Sequence, residues 1–203
     1  MRLPAAVALV TAILALSAGA ARADNVDVVV QAGHQGRPES CAPMHVRACN
    51  LGASSGDALE RDWTPIVADA TARALRKAGF TVARRPADYR EHDHARAAVF
   101  FHFDGAEPAC SSGASIGYPA QTSQAFVQAW EHDYRGWFPF RFVGANFTEN
   151  ESKYYGFRKV DAPQKMLIEF GELTCPAQRA WMQPRLQQMG DKVADFLITW
   201  LHR

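Results

Sequence analysis

The sequence predicts a single α/β domain with a mostly parallel central sheet flanked by helices. Three observations carry this expectation. Runs rich in Val, Ile, Ala and Phe at 26–31, 97–102 and 166–170 have the length and composition of strands buried in a sheet. Between the first two, Val67, Ala70, Ala74 and Ala78 recur along one helical face. Strands alternating with helices give a parallel sheet, because each parallel connection needs a crossover.

The chain opens on a leader. Arg2 precedes an apolar core from Ala5 to Leu16, and Ala21-Arg22-Ala23 has the small-x-small form of a cleavage site. Residues 1–23 are therefore expected to be a signal peptide. Residues 24–203 would then form one exported domain, periplasmic or secreted. The leader is short of the about 20 apolar residues that span a bilayer, and no later segment is apolar for that length.

Each element has its own signal. The first strand, 26–31, runs into a Gly- and Pro-containing stretch at 35–57 that reads as a long loop. A helix is expected from 59 to 78, capped by Asp62 or Thr64, with Pro65 in its first turn and Gly79 ending it. Residues 80–83 read as a second strand, 85–96 as a polar loop or short helix, and 97–102 as the third strand. Ser115 to Tyr118 reads as a strand near an edge, because Pro119 follows it. Residues 122–134 read as a helix, and 136–158, rich in Gly, Asn and aromatics, carry no clear pattern. The last strand is 166–170. A helix then runs from Pro176 to Leu201, broken or kinked at Pro184.

Charge excludes one class of partner. The chain has 22 basic and 21 acidic residues and no basic stripe, so it is not built to track a nucleic-acid backbone. Its four cysteines, Cys41, Cys49, Cys110 and Cys175, read as two disulfides in an exported protein. No CxxC pair supports a cysteine-ligated metal site. Cys41 and Cys49 share one loop. Cys110 and Cys175 follow the strands ending at His102 and Glu169, which makes Cys41–Cys49 and Cys110–Cys175 the expected pairs.

The strand ends carry the chemistry. His34 lies in Ala32-Gly33-His34-Gln35-Gly36, just after the first strand, and His102 ends the third. Ligands bind at the carboxyl ends of strands in open α/β sheets. Two imidazoles there suggest a zinc site, which needs a third ligand. Glu60 at the start of the long helix and Glu39 in the loop are the candidates. Glu60 is favoured because a helix start holds a ligand more rigidly. Glu169 stands at the end of an apolar strand, where an acid is costly to bury unless used, and suits a general base. Glu172 is its rival, an odd number of residues away and so expected on the other face. His45, His92, His94, His132 and His202 read as solvated.

With these positions in hand, the chain resembles the zinc-dependent N-acetylmuramoyl-L-alanine amidases, the amidase-3 group of cell-wall hydrolases. Gly33-His34-Gln35-Gly36 is similar to that family's first zinc motif. Glu60 with the helix ending Leu75-Arg76-Lys77-Ala78-Gly79-Phe80 is similar to its glutamate ligand and following helix. Val99-Phe100-Phe101-His102-Phe103-Asp104 resembles its second histidine strand, and Met166-Leu167-Ile168-Glu169-Phe170-Gly171 the strand of its catalytic glutamate. Gln35, Phe103-Asp104 and Glu172 depart from the usual residues. The resemblance implies zinc held by His34, Glu60 and His102, with Glu169 as the base. It also implies hydrolysis of the amide between N-acetylmuramic acid and L-alanine in peptidoglycan. A non-catalytic peptidoglycan-binding protein and a zinc peptidase of small peptides are the alternatives. The sequence leaves open whether an activator protein is needed.

Overall fold

The computed structural model describes residues 25–37 and 50–203. The leader, Glu39, His45, Cys41 and Cys49 lie outside the described residues, and with them the Cys41–Cys49 pairing. Strand β1 (Asn25–Ala32) is the first element. Across the end of the stretch read as a loop and the start of the expected helix stands a small antiparallel hairpin, β2 (Ser54–Ser55) and β3 (Ala58–Leu59), leading straight into α1 (Glu60–Lys77).

The expected caps of α1 are not the ones used. Leu59 is the N-cap residue, and no side chain caps the helix. Thr64 instead gives its hydroxyl proton to the Gly33 carbonyl at 2.6 Å, tying the helix to the turn after β1. Pro65 lies a turn further in than predicted. The other end behaves as expected: Gly79, at φ +91°, lets the Phe80 and Gly79 amides donate to the Leu75 and Arg76 carbonyls.

Strand β4 (Val82–Arg85) is shifted from the expected 80–83, and β5 (Asp93–Asp104) starts four residues before the predicted third strand. The reason is a buried ion pair. Asp93 is fully enclosed and accepts from Arg85 at 3.0 and 2.6 Å, so a polar segment is drawn into the sheet. Then follow β6 (Ala114–Gly117), α2 (Gln124–Arg135) and β7 (Phe142–Ala145). The segment that carried no pattern supplies β7, α3 (Glu149–Ser152) and a 3-10 turn at Tyr155–Arg158. Strands β8 (Val160–Asp161) and β9 (Gln164–Glu172) precede α4 (Pro176–Met182). A 3-10 turn around Pro184 links α4 to α5 (Leu186–Leu201).

The sheet order is β4-β1-β5-β9-β6-β7, with β8 pairing the start of β5. β4, β1, β5 and β9 run parallel to one another, whereas β6 runs antiparallel to β9 and parallel to β7. β6 is therefore near an edge, as expected, but not at it, because β7 takes the outer place. Pro119 lies beyond its end and removes no ladder bond.

The two faces of the sheet are covered unequally. Val28, Val30, Val99, Phe101, Met166 and Ile168 pack with residues of α1, α2, α4 and α5 in the main core. Val29, Ala98, Phe100 and Leu167 point the other way, against Tyr154, Phe157 and Val160. The four longer helices, α1, α2, α4 and α5, thus lie on one face, and a thin cover of α3 and aromatic side chains lies on the other. On the helical side α1 and α5 approach closely at Gly190, where a Cβ would meet the Ala70 Cβ at 2.6 Å.

Cys110 and Cys175 form a disulfide, as expected from the strands they follow. It joins the loop after β5 to the start of α4 across a sequence separation of 65. Closing such a loop is worth about 4 kcal/mol by chain entropy. Cys110→Ser with Cys175→Ser should lower unfolding free energy by up to that amount in urea titration. Added reductant should lower wild-type stability by more than it lowers that of the double variant.

Candidate metal site

Period-two alternation builds the site. The register places His102 beside Glu169 and Glu169 beside Ser115, a row across β5, β9 and β6. Their apolar neighbours along each strand face the helices, so this row looks out on the thinly covered face. At the β1 end of the row is Gly33. A Cβ there would lie 2.5 Å from His102 Nε2 and 2.6 Å from the Phe101 carbonyl oxygen, so the imidazole seats against bare backbone. His34 follows in the left-handed region, at φ +59°. A non-glycine residue held there costs about 1–3 kcal/mol, and such strain gathers at functional sites.

His34, Glu60 and His102 converge. All three are buried, at 8, 3 and 7 % exposure. One ligand atom of each lies within 4.8 Å of the others, and the two imidazole rings stand edge to face. Glu60 Oε1 is 2.8 Å from His102 Nδ1 and 3.4 Å from His34 Nε2. A tetrahedral ion with bonds of about 2.0–2.2 Å sets its donors roughly 3.4 Å apart, so this group could hold a metal. The surroundings fit that use. The Asn50 carbonyl can only accept, and it lies 2.7 Å from His34 Nδ1. A proton on Nδ1 satisfies this carbonyl and leaves Nε2 toward Glu60, while Arg37 Nη1, 3.1 Å from Nδ1, competes for the same ring nitrogen. Arg37 Nη1 donates to the same carbonyl at 2.9 Å.

Glu60 is placed by backbone. It accepts from the Ala53 amide at 2.7 Å and the Phe103 amide at 3.1 Å. Gly52, at φ +84°, packs on its side chain, where a Cβ would come within 2.8 Å of the carboxyl carbon. Burial pushes against ionisation of Glu60, but the His102 contact, both imidazoles and the Ala53 amide outweigh it, so its pKa is lowered. Burial lowers the pKa of His34 and Glu60 opposes that; the net result favours the neutral imidazole a metal takes.

Glu169 is a carboxylate of another kind. Its Oε2 is enclosed and has no hydrogen-bond partner among the described residues. Burial first, then the charges of Glu60, Asp104 and Glu151, raise its pKa well above the carboxylate range. The rival Glu172 is fully buried and fully engaged, accepting from Cys110 and Ser112 amides at 2.6 and 2.8 Å and from Thr174 at 2.7 Å. Simple parity does not separate the two acids as predicted. His102 pairs with Glu169 but Asp104 with Glu172, so β9 carries one extra residue, a bulge that resets the alternation. Hydrogen bonding separates them instead.

A crevice of about 450 Å³ opens over this row, with Arg37, Asp104, Glu151 and Lys153 on its walls. Asp104, bonded by the Ser112 hydroxyl, and Glu151, bonded by Ser115 at 2.7 Å, both have pKa values raised by burial. Sequence reading missed Arg37, Asn50, Glu151 and Tyr154. Thr148 to Glu151 has the spacing of a capping box, a legible signal in the unassigned stretch. The other visible histidines stay away from the site: His92 and His94 are exposed beside Asp161, and His132 and His202 are exposed on or beyond helices. A larger hollow of about 730 Å³ between α2 and α5 contains none of the residues singled out above as ligands or base.

No protein-family model matches the sequence, and no curated protein is significantly similar to it. Solved structures are similar in fold. The N-acetylmuramoyl-L-alanine amidase AmiC2 of Nostoc punctiforme matches over 90 % of this chain and 100 % of its own, with a TM-score of 0.64 and 18 % identity. The catalytic domain of CwlV, an N-acetylmuramoyl-L-alanine amidase of Bacillus (Paenibacillus) polymyxa var. colistinus, matches over 87 and 98 %, at 0.66 and 16 %. The CwlD amidase of Clostridioides difficile, solved in complex with the GerS lipoprotein, matches over 86 and 95 %, at 0.57 and 14 %. This chain has their fold.

Three variants test the geometry. Gly33→Ala should displace His102 and weaken metal binding about 10–100-fold, read by chelator competition, while circular dichroism stays native. Glu172→Gln should cost about 1–3 kcal/mol in denaturant titration, because an amide group would face bonded N–H donors. Glu169→Gln, which loses no hydrogen bond, should cost nothing in the same experiment.

Proposed function

We propose that this chain is an exported zinc-dependent amidohydrolase that cleaves the amide between N-acetylmuramic acid and L-alanine in peptidoglycan. The observation that carries the reading is one half-buried carboxylate, Glu169, whose enclosed Oε2 has no hydrogen-bond partner among the described residues, beside a convergent His34, Glu60, His102 group. The shared fold with N-acetylmuramoyl-L-alanine amidases supports the substrate. Two imidazoles and a carboxylate with an open side suit a catalytic zinc, and His34, Glu60 and His102 would hold it.

When bound, the ion supplies a Lewis acid that polarises the scissile carbonyl and acidifies water. Glu169 does the proton work. Burial and the charges of Glu60, Asp104 and Glu151 raise its pKa, which makes its carboxylate a stronger proton acceptor, and it takes a proton from the attacking water and returns it to the leaving amine. Asn50 fixes the ring of His34, and the Ala53 and Phe103 amides fix the carboxylate of Glu60, so neither ligand has to reorganise. The leader at 1–23 and the Cys110–Cys175 disulfide support export to an oxidising compartment.

The test is digestion of purified sacculi, with the new ends identified by mass spectrometry. Free N-terminal L-alanine on released stem peptides is expected. New ends within the stem peptide would make the chain a peptidase, and zinc binding without release would make it a binding protein. Glu169→Gln should retain zinc and lose about 10²–10⁴-fold in turnover. Near-normal turnover in that variant would remove Glu169 as the base.

A further inference from the structure

A second pair of histidines is arranged much as the crevice pair is. His92 and His94 flank Asp93, the first residue of β5, and both are exposed while Asp93 is enclosed. Alternation along an extended chain therefore turns both imidazoles to one side. Arg85 holds Asp93 at 3.0 and 2.6 Å, so the backbone between the two rings is fixed. Across the ladder, His94 is the register partner of Asp161 in β8.

One carboxylate oxygen gathers both rings. Asp161 Oδ2 lies 3.1 Å from His92 Nε2 and 3.4 Å from His94 Nδ1. In the crevice, Glu60 Oε1 lies 2.8 Å from His102 Nδ1 and 3.4 Å from His34 Nε2. An ion with bonds of about 2.0–2.2 Å sets its donors roughly 3.4 Å apart, and the Asp161 distances already meet that spacing. The ring centroids stand 5.8 Å apart, wider than the 5.0 Å of the crevice pair. Ring rotation closes the difference, since the two histidine side chains are 48 and 50 % exposed. Two cations nearby are engaged elsewhere. Lys165 donates to the Phe157 and Val160 carbonyls at 2.9 and 3.0 Å, and Arg96 pairs with Asp27 at 3.5 Å.

We propose that His92, His94 and Asp161 form a second metal site, which takes a divalent late transition ion, Cu(II) more tightly than Zn(II). Two imidazoles and one carboxylate suit these ions, whereas Mg(II) and Ca(II) take oxygen ligands. The site is remote from the crevice. His94 and His102 lie on one strand, about 26 Å apart at about 3.3 Å per residue. An ion there would join β5 to β8, the strand that follows the 3-10 turn of the thin cover, and so fasten that cover at its far end.

The test reads metal alone and needs no turnover. Tag-free mature protein is titrated with Cu(II) and with Zn(II) against a competing chelator. Wild type should bind two ions per chain. His92→Ala and Asp161→Asn should each weaken one of the two by at least about 10–100-fold and spare the other. Both side chains are exposed, so the fold is not at stake. Equal binding by wild type and both variants would overturn the proposal, and Zn(II) held more tightly than Cu(II) at the affected site would overturn the assigned ion. A single ion in wild type that both variants lose would uphold this site and remove the zinc reading of the crevice. As a second readout, Cu(II) should broaden the amide signals of residues 92–94 and 160–161 in the wild type. Broadening confined to other residues would overturn the proposal.

Discussion

A strand turns successive side chains to opposite faces, and in this sheet one face is packed by the four longer helices while the other carries a thin cover. The site follows from that inequality. Along β5 and β9 the residues facing the helices are Val99, Phe101, Met166 and Ile168, and their neighbours turned the other way end in His102 and Glu169. The strands can be as apolar as any buried strand and still deliver polar groups to an open crevice. A layer of helices on the second face would have buried His102 and Glu169 without access. A thin cover of α3 and aromatic side chains leaves room for the site.

Burial sets the character of the acids by what accompanies it. Glu60 and Glu172 are enclosed, yet backbone amides aim at their oxygens, so the chain has already met the cost of removing them from water. Glu169 is enclosed at one oxygen with no such donor, and three neighbouring acids oppose its charge. The first arrangement makes a fixed carboxylate, and the second suits the proton transfer proposed for Glu169. The difference lies in the placing of a few N–H groups from loops, not in the residue type.

This is also why the sequence was legible only in part. His34, Glu60, His102 and Glu169 could be picked out because each breaks an apolar run or opens a helix, and the order of such breaks is a property of the chain itself. The choice of Glu60 needed rigidity as an argument, and the structure supplies it through Ala53 and Phe103. Arg37, Asn50 and Tyr154 were not legible, because they reach the site from segments without periodicity. The parity argument against Glu172 failed for a local reason, since a single inserted residue in β9 is invisible in a run that is apolar throughout. The early start of β5 was hidden because Asp93 is tolerable in a strand only with Arg85 beside it, a pairing across eight residues.

The close approach of α1 and α5 at Gly190 has a consequence for what can be changed far from the crevice. Glu60 is the first residue of α1, and α1 is seated against α5. The Thr71 hydroxyl also bonds the Gly190 carbonyl at 3.0 Å. A side chain at position 190 would meet the Val67 carbonyl and the Ala70 Cβ and push α1 away from its seat. Glu60 would move with the helix it opens, so the crevice is sensitive to a position on the opposite side of the sheet.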